Sequence, residues 1–188
     1  MTAIKLAAPL TTADVLRLKA GDQVLLSGDI YTARDAAHQK LNQLLVQNKE
    51  LPIQLAGQII YYAGPAPARP GQVIGPVGPT TSGRMDIFTP MLLKQGLKAC
   101  IGKGVRSIEV KEALCKYRAV YLAATGGAAA LLAQTVLQAK IVAYPELGPE
   151  AIHRLTVKDF PVIVINDAYG NDLYEIGRQK YCRQTDFK

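Results

Sequence analysis

A chain of 188 residues, 49% of them hydrophobic, is long enough to form one domain of ordinary size around a sizeable core. Lys and Arg number 22 against 15 Asp and Glu, a formal net charge of +7, but the charges are scattered and tryptophan is missing, so nothing marks a base-stacking nucleic-acid surface. No long apolar run suggests a membrane span and the N-terminus lacks the order of a signal peptide, so the expected setting is cytoplasmic and the expected ligand a small anion.

Residues 4–9 read as a first strand, and Thr11-Thr12-Ala13-Asp14 opens a short helix that Lys19-Ala20-Gly21-Asp22 closes. Residues 23–27 form a second apolar strand. From Gly28 the chain is expected to leave that strand, with Thr32 as N-cap, Asp35 as its capping-box partner, and Leu41, Leu44 and Leu45 at helical spacing. This puts Arg34 in a first helical turn, where a cation and free backbone N–H groups can act together on an anion. A simple pairing with Asp35 accounts for Arg34 equally well. His38, one turn further on, is read as structural or orienting rather than as a proton carrier.

Residues 58–63 are β-branched and aromatic, hence a strand, and 64–71 are a stiff Pro-rich connection. Residues 73–77 read as a strand that delivers Gly78-Pro79-Thr80-Thr81-Ser82-Gly83-Arg84. Glycine permits close approach of backbone to ligand, hydroxyls donate, and the guanidinium matches a carboxylate or phosphate. A polar turn leading to a helix cap would have the same composition. Thr89-Pro90 offers an N-cap and an N1 proline for a helix that Gly96 ends.

Residues 97–101 are strand-like and run into Gly102-Lys103-Gly104, whose lysine is either an unobstructed ligand contact or an exposed turn residue. Residues 107–116 have helical periodicity, 119–124 form a buried strand, and Thr125-Gly126-Gly127 leads into a helix of small residues and leucines expected to reach about Val136. The glycine pair has neither the order of a dinucleotide site nor that of a P-loop. Residues 141–144, 162–165 and 173–176 supply further strands, a short helix starts at Gly148-Pro149-Glu150, and 177–188 read as a loose polar tail. Cys100, Cys115 and Cys182 are too few and too widely spaced for a disulfide framework or a compact metal motif.

The sum is a mixed α/β domain of roughly eight strands and five helices without internal repeats. The loops carrying Arg34, Thr80 to Arg84, and Lys103 each follow an expected strand, and a common sheet edge would gather them into one pocket.

Taken together, several ordered motifs resemble a known family. They are Gly28-Asp29 with Thr32-Ala33-Arg34-Asp35-Ala36-Ala37-His38; Gly78-Pro79-Thr80-Thr81-Ser82-Gly83-Arg84-Met85-Asp86; Ile101-Gly102-Lys103-Gly104; Gly126-Gly127-Ala128-Ala129-Ala130; and Asp159-Phe160-Pro161 through Asn166-Asp167-Ala168-Tyr169-Gly170-Asn171-Asp172-Leu173-Tyr174-Glu175. The pattern is similar to the beta subunit, or C-terminal domain, of class I, iron–sulfur fumarate hydratases, and it covers nearly the whole chain. The beta subunit of L-tartrate dehydratase shares the architecture, and a non-catalytic anion-binding domain is the reading from another class.

The resemblance implies one swivelling β/β/α domain with a mixed sheet over residues 1–188, and reversible hydration of fumarate to L-malate. It implies a 4Fe-4S cluster held by a separate alpha subunit in an α2β2 assembly, with no metal ligand in this chain. By motif position Arg34, Thr81, Arg84 and Lys103 resemble substrate-binding groups, and Thr80 resembles the catalytic base, with positioning of substrate or water as its alternative role. A dicarboxylate needs cations at its ends, and proton removal beside a carboxylate needs fixed donors to hold the added charge.

Overall fold

The computed structural model describes residues 3–182. Seven strands are joined in one sheet: β1 (Ile4–Ala8), β2 (Gln23–Thr32), β3 (Ile59–Tyr61), β4 (Ala99–Gly102), β5 (Val120–Ala123), β6 (Val136–Ala143) and β7 (Ile152–Asn166). β1 to β5 pair in parallel in chain order, whereas β7 runs antiparallel to β5, β6 and β2. Because β7 pairs with both β5 and β2, the ladder from β2 through β3, β4 and β5 closes on itself.

Among the described residues six α-helices accompany the strands: α1 (Thr12–Leu16), α2 (Asp35–Val46), α3 (Thr89–Lys94), α4 (Ile108–Tyr117), α5 (Ala129–Gln134) and α6 (Leu173–Tyr181). Side chains on a strand alternate between faces, and here the two faces feed two cores. Ile59, Tyr61, Ala99, Ile101, Val120 and Leu122 point into a core between opposite walls of the closed ladder, together with Leu26, Leu155 and Phe160. Ile60, Tyr62, Cys100 and Tyr121 point the other way, onto Leu41 of α2, Leu92 and Leu93 of α3, and Val110 and Leu114 of α4. The layering is therefore β/β/α, and burial of these apolar chains at about 25 cal/mol per Å² is the main driving force for it.

Three expectations are corrected. β2 does not end at Ser27: Gly28, at φ +102°, lies where the register against β7 shifts, the extra residue being on β7 around Asp159, and the strand continues to Thr32. Thr32 is consequently a strand residue whose hydroxyl meets Ala151 O and His153, and the N-cap position of α2 falls on Arg34. Residues 73–77 form no strand, because Ala66 N–H donates to Pro76 O, Val77 N–H to Ala129 O, and Gly75 packs against the carbonyls of Ala66 and Pro67. These contacts hold the segment without regular structure.

The third correction concerns residues 173–176, which begin α6: Asp172 is its N-cap, accepting from Tyr174 N–H. That helix also takes in 177–181 of the stretch read as a tail, and 183–188 lie outside the described residues. A smaller shift affects Thr89, which lies within the start of α3 and donates its hydroxyl proton to Met85 O.

Candidate active site

Arg34 stands between β2 and α2, and its guanidinium reaches in two directions. Nη2 lies 3.2 Å from Glu150 Oε1, and Nε donates to Asp35 Oδ2 at 3.1 Å. Glu150 also accepts the Ala36 N–H at 2.7 Å, so its carboxylate serves a free donor at the start of α2 that no capping side chain on the helix itself serves. Gly64 leaves the space Arg34 occupies: a Cβ there would lie 3.2 Å from Arg34 Cδ and 2.8 Å from Pro149 O.

Asp35 joins this cation to the second loop. Its carboxylate takes a bidentate pair from Arg84, Nε to Oδ1 at 2.8 Å and Nη2 to Oδ2 at 3.0 Å. Arg84 Nη2 also donates to Thr80 Oγ1 at 2.7 Å. Burial alone would raise the Asp35 carboxyl, but the hydrogen bonds from Arg84 and Arg34 outweigh it and hold its pKa below the ordinary carboxylate value.

Backbone pairing brings in the third loop. Thr80 N–H donates to Tyr62 O, Lys103 N–H to Thr80 O, and Ser82 N–H to Lys103 O, so residues 80–82 lie alongside the chain that leaves β4. Gly102 permits this approach, since a Cβ there would overlap Ser82 Oγ. The hydroxyls of Ser82 and Tyr121 are hydrogen-bonded at 2.9 Å, and Tyr121 donates to Gly104 O, which ties both loops to β5.

Behind them, buried Arg106 donates to Asp86 Oδ1 at 2.7 Å and to Thr89 Oγ1 at 2.8 Å, and the other Asp86 oxygen accepts Ser107 N–H. His38 is buried under the start of α2. Its Nδ1 lies 3.1 Å from Arg34 O, and burial lowers its pKa to about 4, so it is neutral, with Nδ1–H as donor and Nε2 unpartnered. That environment suits a structural part.

Of the five residues singled out in the sequence, Arg34, Thr80 and Arg84 are thus linked through side chains, and Thr81 and Lys103 face each other through backbone pairing. Thr81, Arg84 and Lys103 are exposed, Thr80 and Arg34 partly so. Five cavities of about 200 to 500 Å³ among the described residues lie elsewhere and are lined by none of them. Sequence reasoning had not singled out Glu150, Tyr121, Asp86 or Arg106; each acts across at least 15 residues of chain, and no local spacing signals it.

Among the described residues no group of three or more His, Cys, Asp or Glu side chains is arranged to hold a metal ion. Cys100 is buried in β4, Cys115 is on α4 and Cys182 follows α6. These residues do not fit a 4Fe-4S cluster. No described helix is long and apolar enough to cross a membrane.

Fold and site define a β/β/α domain that carries hydroxyl, guanidinium and ammonium groups along one loop edge. The family model described as "Fumarase C-terminus" matches residues 1–177, and the chain belongs to this family, that of class I fumarate hydratases and tartrate dehydratase beta subunits. It is 43% identical over 159 residues to "Fumarate hydratase class I, anaerobic" of Escherichia coli K12, covering 84% of this chain and 29% of that protein. Against "Fumarate hydratase 2" of Leishmania major the identity is 40% over 156 residues, 82% of this chain and 28% of the relative. A 45% identity over 172 residues links it to the "Putative L(+)-tartrate dehydratase subunit beta" of Methanocaldococcus jannaschii, with 88% of both chains covered. The chain therefore spans less than a third of those two fumarate hydratases but most of the dehydratase subunit.

Proposed function

We propose that this chain is the beta subunit of a class I fumarate hydratase, interconverting fumarate and L-malate together with a separate alpha subunit that carries the 4Fe-4S cluster, in an α2β2 assembly. The observation that carries the reading is the 2.7 Å hydrogen bond from Arg84 Nη2 to Thr80 Oγ1. An aliphatic hydroxyl is a poor base unless its oxyanion is stabilised, and a guanidinium donor held on that oxygen supplies the stabilisation.

In the malate-to-fumarate direction Thr80, as alkoxide, removes a proton from the carbon beside one carboxylate. The electron pair of that C–H bond becomes the double bond as the C–O bond to the hydroxyl breaks, and the departing hydroxide takes a proton from an acid on the alpha side to leave as water. In the reverse direction Thr80 returns its proton to carbon. Arg34, Arg84 and Lys103 hold the substrate carboxylates, and Thr81 adds a hydroxyl donor.

Charge supports a second subunit. Three cations, Arg34, Arg84 and Lys103, less the two carboxylates of Asp35 and Glu150, leave +1 against the two negative charges of a dicarboxylate. The remaining charge is left for the partner to meet. In the assembled enzyme with its cluster content checked, Thr80→Ala should still bind L-malate but lose turnover by about a hundredfold or more. Near-normal turnover would remove Thr80 from the role of base.

A second reading, the beta subunit of an L-tartrate dehydratase, is favoured by the even coverage of the Methanocaldococcus subunit. The same clamp and base would then dehydrate a diol acid. Steady-state assays of the reconstituted pair with fumarate, L-malate and both tartrates decide between the two.

A further inference from the structure

Asp35 holds a position that neither the composition of the loops nor the proposed proton transfer accounts for. Its carboxylate is the only one among the described residues paired with both arginines of the site: Arg34 on Oδ2, and Arg84 on Oδ1 and Oδ2. The bidentate fork consumes Nε–H and one Nη2–H of Arg84, and a guanidinium is planar. With the plane fixed in this way, the second Nη2–H has a single direction open to it, and Thr80 Oγ1 lies there at 2.7 Å. Nη1 keeps both of its hydrogens for a ligand.

We infer that Asp35 is a positioning residue with two opposed effects: it aims Arg84 at Thr80, and it weakens the attraction of the edge for anions by neutralising one of its cations. The aim comes from the fork, the weakening from the negative charge standing between two guanidinium groups that a substrate carboxylate would also seek. Glu150 anchors the far side, holding Arg34 through Oε1 while Oε2 takes the Ala36 N–H, so the chain Glu150–Arg34–Asp35–Arg84–Thr80 is tied to the start of α2. A substituent that kept the shape of Asp35 without its charge would loosen Arg84 and at the same time attract anions more strongly. A merely structural residue would not separate the two.

The test rests on the hydratase reading for its kinetic arm only. In the reconstituted enzyme, Asp35→Asn should lower kcat by about tenfold or more with KM for L-malate unchanged or reduced. Asp35→Glu, which keeps the charge but shifts the fork by one methylene, should lower kcat and leave KM near that of the parent. A kcat within about twofold of the parent for both variants, or a raised KM at unchanged kcat, would overturn the inference. The full chain alone supplies the second arm: the Arg84 Nε–H resonance should shift and exchange faster in Asp35→Asn, and the variant should bind malonate several-fold more tightly, by about the loss of one neighbouring charge. If the parent pair converts none of the proposed substrates, the hydratase reading fails, while an Arg84 resonance unmoved by Asp35→Asn is what sinks the positioning role.

Discussion

His38 shows how burial decides what a residue can do. Held neutral with its pKa lowered to about 4 by burial, it resists protonation in the fold, whereas in the unfolded chain it binds a proton below its ordinary value of 6.5. Its contribution is fully present above pH 6.5 and is lost as pH falls towards 4, because only the unfolded state gains a proton in that window. His153, also lowered by burial, acts with the same sign. Urea midpoints should therefore fall between pH 7 and pH 4.5, with His38 accounting for about 3 kcal/mol at most over its full shift. A His38→Gln variant should show a visibly shallower slope. Asp35, Asp167 and Asp172 are held below the carboxylate value and lose their part only at lower pH, outside this window. At this scale the cations and hydroxyls Arg34, Thr80 and Arg84 were legible as a group, since each stands in a glycine-flanked or capping context. The carboxylates that aim them were not: Asp35 looked like half of a cap, and Glu150 lies 116 positions from Arg34 in the chain.

The loop of residues 80–86 and the one after β4 are held by a buried ion pair rather than by their own conformational preference. Arg106 has no exposed side-chain surface, and Asp86 both pairs with it and accepts Ser107 N–H ahead of α4. Asp86→Ala would strand a buried guanidinium and an amide, and should cost about 3–5 kcal/mol, measurable as a lowered denaturant midpoint. Replacing the pair together by apolar residues of similar volume should recover much of that loss. Local pattern read the central strands well: β3, β4 and β5 are short, apolar and alternate cleanly between two cores, so their periodicity survives in the sequence. It failed where one residue carried two meanings. Gly28 looks like a turn and is a residue inside β2, beside a bulge on β7; Leu173, Tyr174 and Ile176 look like a strand and are instead capped into a helix by Asp172. β7 was half seen, because Ile152, Leu155 and Val157 are buried without strict alternation and without a long apolar run.

At the scale of the whole molecule the described residues carry their cations along a loop edge, and the chain spans less than a third of the Escherichia coli and Leishmania major fumarate hydratases it matches. Purified alone, the chain should show no fumarate hydration, and co-expression with a cluster-bearing alpha subunit should restore it. Hydratase activity of this chain alone in iron-free buffer would overturn the division of labour proposed above. The closure of the ladder by β7 has a further consequence, for synthesis. Gln23 of β2 pairs with Ile163, and Tyr121 of β5 with Asn166, so both strands emerge from the ribosome long before their shared neighbour. Until about residue 166 is out, β2 and β5 each present a bare hydrogen-bonding edge, and contacts of such wide sequence separation form slowly. Closure of the ladder therefore waits for the last third of the chain, and until then two strand edges stand open to misassembly.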